Sequence, residues 1–404
     1  MQYSQNVIGK NFFYKNSLLF FIFIFTAIFI LIELKNGRYW QSDFEVYYKA
    51  AVRMLNSENL YRIVEDNFYR YKYSPAAAIL YTPFTLLPFE IAKYSYTFFL
   101  SFLIYIIIKI SYKMSKIDDN YIQTYKNKLF VYCIIMVGIA NNFTRELHLG
   151  QANIIILFFS LFSVYTKDKN RFLSAFFLAY SGIIKPYFIL FIVYYILQKE
   201  FKYLLYLILS ILIISFIPLI FFNFNSFIEN YQLWFNEIKI EILRERSEIS
   251  YGNISIFTFF DNFFISILNL KKELSHIITL SLTGIFTYLF LIESKKKLDK
   301  NLRSFYNFSF LLSLIPLLAS NGRSIYIFSF PLIFLTSFIF KRKNNLLITL
   351  YIIAIFLIGI NFGDIQLIST FIRKYSLMPL GVLILLSILF YNVKKIKITN
   401  TAGI

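Results

Sequence analysis

The sequence predicts an all-α, polytopic integral membrane protein with about 12 membrane passes. Three observations carry that reading. The 404 residues are 58% hydrophobic and 21% aromatic, whereas only 16% are charged, against roughly 25% charged in soluble domains. The apolar residues, Phe and Ile above all, fall in blocks of roughly 15–22, close to the length of one helical pass. The charges between the blocks alternate in composition along the chain, as the two sides of a membrane require.

The expected spans lie near residues 17–34, 91–112, 129–140, 152–166, 203–222, 275–292, 304–319, 325–340, 346–361 and 376–391. The first is too long for a signal h-region and is followed by no small-residue cleavage site, so it reads as a retained anchor. The block 172–197 fits one long span or two short arms, 172–184 and 187–197, meeting at Lys185-Pro186. Proline disfavours helix at the residue before it, which supports two arms.

Charge bias decides the matter. With two arms and a cytoplasmic N-terminus, the inner segments hold 22 of the 41 Lys and Arg but only 6 of the 22 Asp and Glu. One long span would flip every later loop and lower the inner basic count to 17. The two-armed reading follows the positive-inside rule better. It places the protein in the cell membrane with both termini cytoplasmic. The net charge of +19 becomes mostly orientation charge, with no need of a nucleic-acid partner.

One membrane domain is expected over residues 1–404, with two long extracytoplasmic loops, 35–90 and 223–274. Both are too aromatic for disorder and read as amphipathic helices on the membrane surface. In the first loop, Ser42-Asp43-Phe44-Glu45 has the form of a capping box. Phe44, Tyr47, Tyr48, Ala51 and Leu55 then mark one helix face, and a turn at Asn56-Ser57-Glu58-Asn59 ends it.

Five places could carry chemistry. Asp43, in the first turn of that helix, is a general base or an acid that merely favours the helix dipole. Arg145, Glu146, His148, Gln151 and Asn153 crowd a tight outer turn between two spans, functional at membrane depth or simply solvated. Lys185 needs an anionic partner such as a lipid-linked phosphate, or it snorkels to headgroups. In the second loop, Glu237, Glu241, Glu245 and Glu248 interleave with Lys239, Arg244 and Arg246 at i,i+4 spacing, as on a solvated helix. Asn253, beside Gly252, re-enters the membrane after it. Arg323, in Ser320-Asn321-Gly322-Arg323-Ser324, binds phosphate or anchors the interface.

Other templates fail. Two histidines make no histidine-rich metal site, so neither metal nor cofactor is expected. There is no Walker loop and no dinucleotide fingerprint. The single cysteine, Cys133, forms no intrachain disulfide.

The ordered motifs point further. They run Ser42-Asp43-Phe44, Tyr47-Tyr48-Lys49-Ala50-Ala51, Asn59-Leu60-Tyr61, Tyr73-Ser74-Pro75, Pro83 with Leu86-Leu87-Pro88, Gly150-Gln151-Ala152-Asn153, Ile184-Lys185-Pro186 and Gly252-Asn253-Ile254-Ser255. Over roughly residues 15–340 the chain resembles glycosyltransferase family 87, the alpha-mannosyltransferase-like branch of the GT-C superfamily. The resemblance implies an inverting single displacement on the extracytoplasmic face. The donor would be a polyprenyl-phosphate sugar, a mannose-like hexose, and the acceptor a glycan or glycolipid. It implies that Asp43 is the base and that Lys185 and the turn Gly150, Gln151 and Asn153, with His148 just before it, line the donor cleft. Tyr73, Arg145, Asn253 and Arg323 are further expected substrate or donor contacts, with Arg145, Lys185 and Arg323 the candidates to balance the phosphate charge. Many family members carry histidine where this chain has the turn around Arg323.

The rival reading is a lipid or glycan transporter or flippase without catalysis. It would show internal repeats or matching broken helices in two halves, and the sequence has neither. A second rival, a lipid-linked glycan polymerase, usually places its large outer loop late rather than first.

Overall fold

A computed structural model describes residues 2–66, 69–115, 125–243, 254–265, 267–319, 322–342, 344–359, 370–372 and 374–396. Among these residues there are helices and no strand. Backbone groups bonded within each helix suit a bilayer, where no water satisfies them. Among the described residues, five helices are long and apolar enough to cross a membrane: Ser17–Lys35, Phe89–Met114, Phe201–Ile220, Lys272–Lys297 and Arg323–Phe340. A bent pair, Tyr132–Leu149 with Asn153–Thr166, passes the same test as a single broken span. Shorter apolar helices fill most of the other expected blocks. The chain reads as a multi-pass, all-helical membrane protein. It divides into two compact units, one of residues 1–110 and 146–245, the other of residues 111–145 and 246–404.

The first unit opens with α1 (Gln2–Lys35), which holds neither Gly nor Pro after Gly9. It stops at Asn36-Gly37. Gly37 has φ 63°, Gly37 N–H donates to Leu34 O and Arg38 N–H to Glu33 O, which is a Schellman close. A short linker leads to α2 (Ser42–Leu55). The capping box expected at Ser42 is not formed. The N-cap residue is Gln41, in the left-handed region at φ 55°, and no side chain caps the helix. The helix itself runs as expected and ends at Asn56.

A short α3 (Pro75–Ala78) and a 3-10 stretch, Ile79–Leu86, follow, and then α4 (Phe89–Met114). Thr26 of α1 and Ser101 of α4 share a buried hydrogen bond of 2.7 Å. The helix α5 (Tyr125–Leu149) and α6 (Asn153–Thr166) are separated only by Gly150–Ala152. The outer turn expected over 141–151 is therefore mostly helix. No Gly or Pro interrupts the chain between Gly138 and Gly150, and polar side chains alone do not end a helix whose backbone lacks water.

The expected break at Lys185 is present. The helix α7 (Arg171–Ile184) ends there, a 3-10 turn covers Pro186–Phe188, and α8 (Ile189–Leu197) follows. Lys185 is extended, at φ −142° and ψ 138°, as the residue before proline should be. The helix α9 (Phe201–Phe216) packs on α7, where Ser174 Oγ lies 2.9 Å from Tyr203 OH. Lys167 makes a 2.7 Å ion pair with Glu200 and lies 4.4 Å from the centroid of the Tyr195 ring. The helix α10 (Phe224–Leu243) receives the first loop: Leu60 N–H donates to Asn230 Oδ1 at 3.0 Å, and Arg70 pairs with Glu237 at 3.3 Å. Within the loop, Arg53 grips Asp66 with two hydrogen bonds of 2.7 Å. Both side chains are nearly buried. The loop is thus a docked, charge-paired structure, in keeping with its aromatic content.

The second unit holds α11 (Ile256–Phe264), α12 (Lys272–Lys297), α13 (Lys300–Leu318), a 3-10 stretch Arg323–Ser329 leading into α14 (Phe330–Thr336), α15 (Asn345–Gly359) and α16 (Met378–Lys394). Ser255 and Thr258 form a capping box at the start of α11. Phe290 of α12 stacks on Phe310 of α13 with centroids 4.2 Å apart. The buried Tyr326 hydroxyl donates to Ile254 O at 3.1 Å. Asn142, buried on α5, donates to Ile358 O at 3.3 Å.

Candidate functional site

The chemistry-bearing residues of the first unit gather around Asp43. Its position is set by the linker before it. Gln41 is buried, and its side-chain amide donates to Thr97 Oγ1 at 2.9 Å and to Leu147 O. A left-handed non-glycine residue costs about 1–3 kcal/mol. Two buried hydrogen bonds, each contributing about 0.5–1.5 kcal/mol, offset that strain. Gln41 is thereby committed to α4 and to the end of α5, and α2 starts without a capping side chain. Phe44 then stacks on Tyr96, with centroids 4.1 Å apart and planes within 8°.

The second contribution is the turn Gly150–Ala152. Gly150 has φ 69°, and a Cβ there would lie 2.5 Å from Phe44 Cβ and 2.9 Å from Gln41 Oε1. Only glycine satisfies both the backbone angle and the close approach of α2. Gln151 follows, and its Nε2 donates to Asp43 Oδ2. Gly150→Ala is expected to push Phe44 and the first turn of α2 away from Gln151. Unfolding measured by intrinsic fluorescence should shift down by roughly 1–3 kcal/mol, and the Gln151–Asp43 bond should be lost.

Beyond Gln151 lies a buried polar chain. Glu146 is completely buried and Asn153 nearly so. The Glu146 carboxylate accepts from Asn153 Nδ2 at 2.7 Å and from the Asn153 backbone N–H at 3.1 Å. The N-cap of α6, Ala152, has no capping side chain. Glu146 caps α6 from the preceding helix instead. Lys185 Nζ donates to Asn153 Oδ1 at 2.8 Å, so the ammonium turns inward. The charges of Glu146, Asp43 and Lys72 all act on it.

Tyr73 completes the group. Lys185 Nζ lies 5.9 Å from its ring centroid, and its hydroxyl is 2.7 Å from that of Tyr47, one turn beyond Asp43 on α2. Burial pushes both phenols well above the usual tyrosine range, with the Asp43 charge a smaller contributor. Both remain protonated and serve as neutral hydrogen-bonding groups.

The remaining expected residues are placed as follows. His148 Nδ1 lies 2.6 Å from Glu33 Oε2, at the end of α1. Arg145 is exposed on α5. Arg323 opens the 3-10 stretch of the second unit and is half-buried. Asn253, with Tyr251, Gly252, Arg244, Arg246, Ser320 and Asn321, lies outside the described residues.

Two acids were undervalued by the sequence. Glu146 is one of several charges in the expected turn, and Glu33 is the single acid near the end of the first span. The signal for Glu146 was its seven-residue spacing to Asn153 across a Gly break. Its meaning depends on knowing that α5 continues to Leu149.

The arrangement is a half-buried carboxylate held by an amide, beside an inward-turned ammonium in a shell of protonated phenols. Such a set can take a proton from a hydroxyl and balance anionic charge a short distance away. A model of glycosyltransferase family 87 matches residues 71–320. The chain belongs to glycosyltransferase family 87. It is a glycosyltransferase by that membership. The matched stretch contains Tyr73, Glu146, Gln151, Asn153 and Lys185, and Asp43 lies 28 residues before it. No curated protein and no solved structure matches the chain.

Proposed function

We propose that this family 87 glycosyltransferase moves a mannose-like hexose from a polyprenyl-phosphate donor to a glycan or glycolipid acceptor on the extracytoplasmic face of the cell membrane, with Asp43 as general base. The observation that supports it best is that Gln151 holds Asp43 with its side chain and bonds Glu146 O with its backbone N–H, which ties that carboxylate to the Glu146–Asn153–Lys185 chain. A base and a cation are brought together by residues from α2, α5, α6 and the α7 break.

In the proposed step the acceptor hydroxyl gives its proton to the Asp43 carboxylate as its oxygen attacks the anomeric carbon. The new C–O bond forms on the face opposite the leaving group, and the bond from the anomeric carbon to the phosphate oxygen breaks. The electron pair leaves with polyprenyl phosphate, whose added negative charge Lys185 balances. Gln151 holds one carboxylate oxygen. Arg145, Arg323, His148, Tyr73 and Asn253 remain proposed donor or substrate contacts. The charge bias of the loops supports cytoplasmic termini and about 12 passes.

Isolated membranes containing the chain should transfer labelled hexose from a polyprenyl-phosphate hexose to an endogenous lipid or glycan acceptor, with the anomeric configuration inverted. Turnover from a soluble sugar nucleotide in place of the lipid-linked donor, or retention of configuration, would overturn the mechanism.

A further inference from the structure

The linker before Asp43 carries a feature that the proposed step does not use. Trp40 is 63% exposed, although it stands on a rigid segment. Its indole Nε1 donates to Gly37 O at 2.9 Å, and its neighbours Tyr39 and Gln41 are both buried and bonded to Thr97. An interfacial tryptophan ordinarily presents its N–H to headgroups and water. Here the N–H is closed onto the chain, and the ring face is what remains open.

Beside it stands a polar group. The ring of His148 is 6.0 Å from the Trp40 ring. Its Nδ1 faces Glu33 Oε2 at 2.6 Å. A carboxylate accepts, so Nδ1 carries a proton, and Nε2 is the ring nitrogen left to meet a ligand. Arg38 lies 3.6 Å from the same Glu33. Among the described residues no hydrogen bond, ion pair or ring contact joins this cluster to Lys185, Asn153 or Tyr73. It adjoins Asp43, three residues on and at most about 11 Å away along the chain.

We infer that Trp40 and His148 form a sugar subsite for the acceptor, with a pyranose ring stacked on the indole and a hydroxyl hydrogen-bonded to His148 Nε2. An open aromatic face paired with fixed polar groups suits a sugar, which has an apolar C–H face and a hydroxyl rim. Lys185 supplies the pole that suits phosphate. This inference rests on the proposed role of Asp43 and assigns the acceptor's place beside it. His148 then serves the acceptor rather than the donor.

The chain contains two tryptophans. Trp234→Phe therefore leaves Trp40 as the sole indole reporter, and 5-fluorotryptophan labelling of the unmutated chain gives the same reading from two fluorine signals. The protein is reconstituted in nanodiscs and titrated with methyl α-mannopyranoside, methyl α-glucopyranoside and, separately, farnesyl phosphate. A saturable change at Trp40 with at least one hexoside is expected, weakened about tenfold or more by His148→Ala, with no response to farnesyl phosphate alone. No response to either hexoside overturns the subsite. A response to farnesyl phosphate alone assigns it to the donor. Strong quenching by lipids brominated on the acyl chain, without a sugar response, makes Trp40 a bilayer anchor. Transfer that disappears with Asp43→Asn while Trp40 ignores hexosides removes the subsite and leaves the base intact.

Discussion

Asp43→Asn is expected to lower hexose transfer by about 100-fold to 10,000-fold, the range that a positioned general base contributes. The substitution preserves shape and removes the charge that accepts the proton. Gln151 can still meet the side chain at position 43, because an asparagine carbonyl also accepts from an amide N–H. Phe44 remains stacked on Tyr96, so α2 keeps its place. The loss should therefore fall on the rate of transfer at saturating donor, with membrane expression and donor KM close to those of the parent. The measurement is incorporation of labelled hexose into lipid in isolated membranes, normalised to protein quantified by immunoblot. Transfer within tenfold of the parent would remove Asp43 from the role of base. Gln151→Leu makes an informative companion. If Gln151 acts by orienting Asp43, its variant should show a smaller loss, and adding Asp43→Asn to it should cost less than Asp43→Asn alone.

Lys185→Met is expected to lower transfer by about 100-fold to 1,000-fold, the effect typical of deleting one group that stabilises transition-state charge. Methionine matches the length of lysine and cannot donate to Asn153. The variant also leaves the buried Glu146 without the opposite charge that faces it across Asn153, so stability is expected to fall as well. The two effects separate in the double variant Lys185→Met with Glu146→Gln. Glutamine removes the unpaired charge, so expression and thermal stability should recover. Transfer should not, because the leaving phosphate still lacks its counter-charge. Recovery of transfer along with stability would make Lys185 a structural residue, and the phosphate would then need another partner.

The membrane class and most helix positions were legible in the sequence because they rest on apolar block length and on breakers. Lys185-Pro186 is the clearest case, since the steric rule at the residue before proline placed the break between α7 and α8 correctly. The start of α2 was misread. Ser42 and Glu45 have the right types for a capping box, but a tertiary contact determined the backbone: Gln41 reaches Thr97 and Leu147, and local capping is forgone. The end of α5 was misread for a related reason. Asn142, Arg145, Glu146 and His148 look like a polar loop in a hydropathy profile. Such side chains are accommodated on a helix when a partner is supplied from elsewhere in the fold, as Ile358 O is for Asn142 and Glu33 is for His148.

The candidate site was legible in part. Asp43, Gln151, Asn153, Lys185 and Tyr73 were each nominated from short motifs, and all five fall in one group. Their connectivity was not legible, because it passes through Glu146. A carboxylate at position 146 looks like any other charge until the chain bends at Gly150 and returns Asn153 to it.

That same carboxylate restricts how this enzyme can change. Glu146 caps α6 with one carboxylate oxygen and holds the lysine's partner, Asn153, with the other. A mutation that removes these oxygens takes away a helix cap and the anchor of Lys185's partner together. Sequence drift at position 146 is thus expected to be coupled to positions 153 and 185. A redesign toward a donor with a different leaving group must alter the three as a set, because a change at one of them strands the other two.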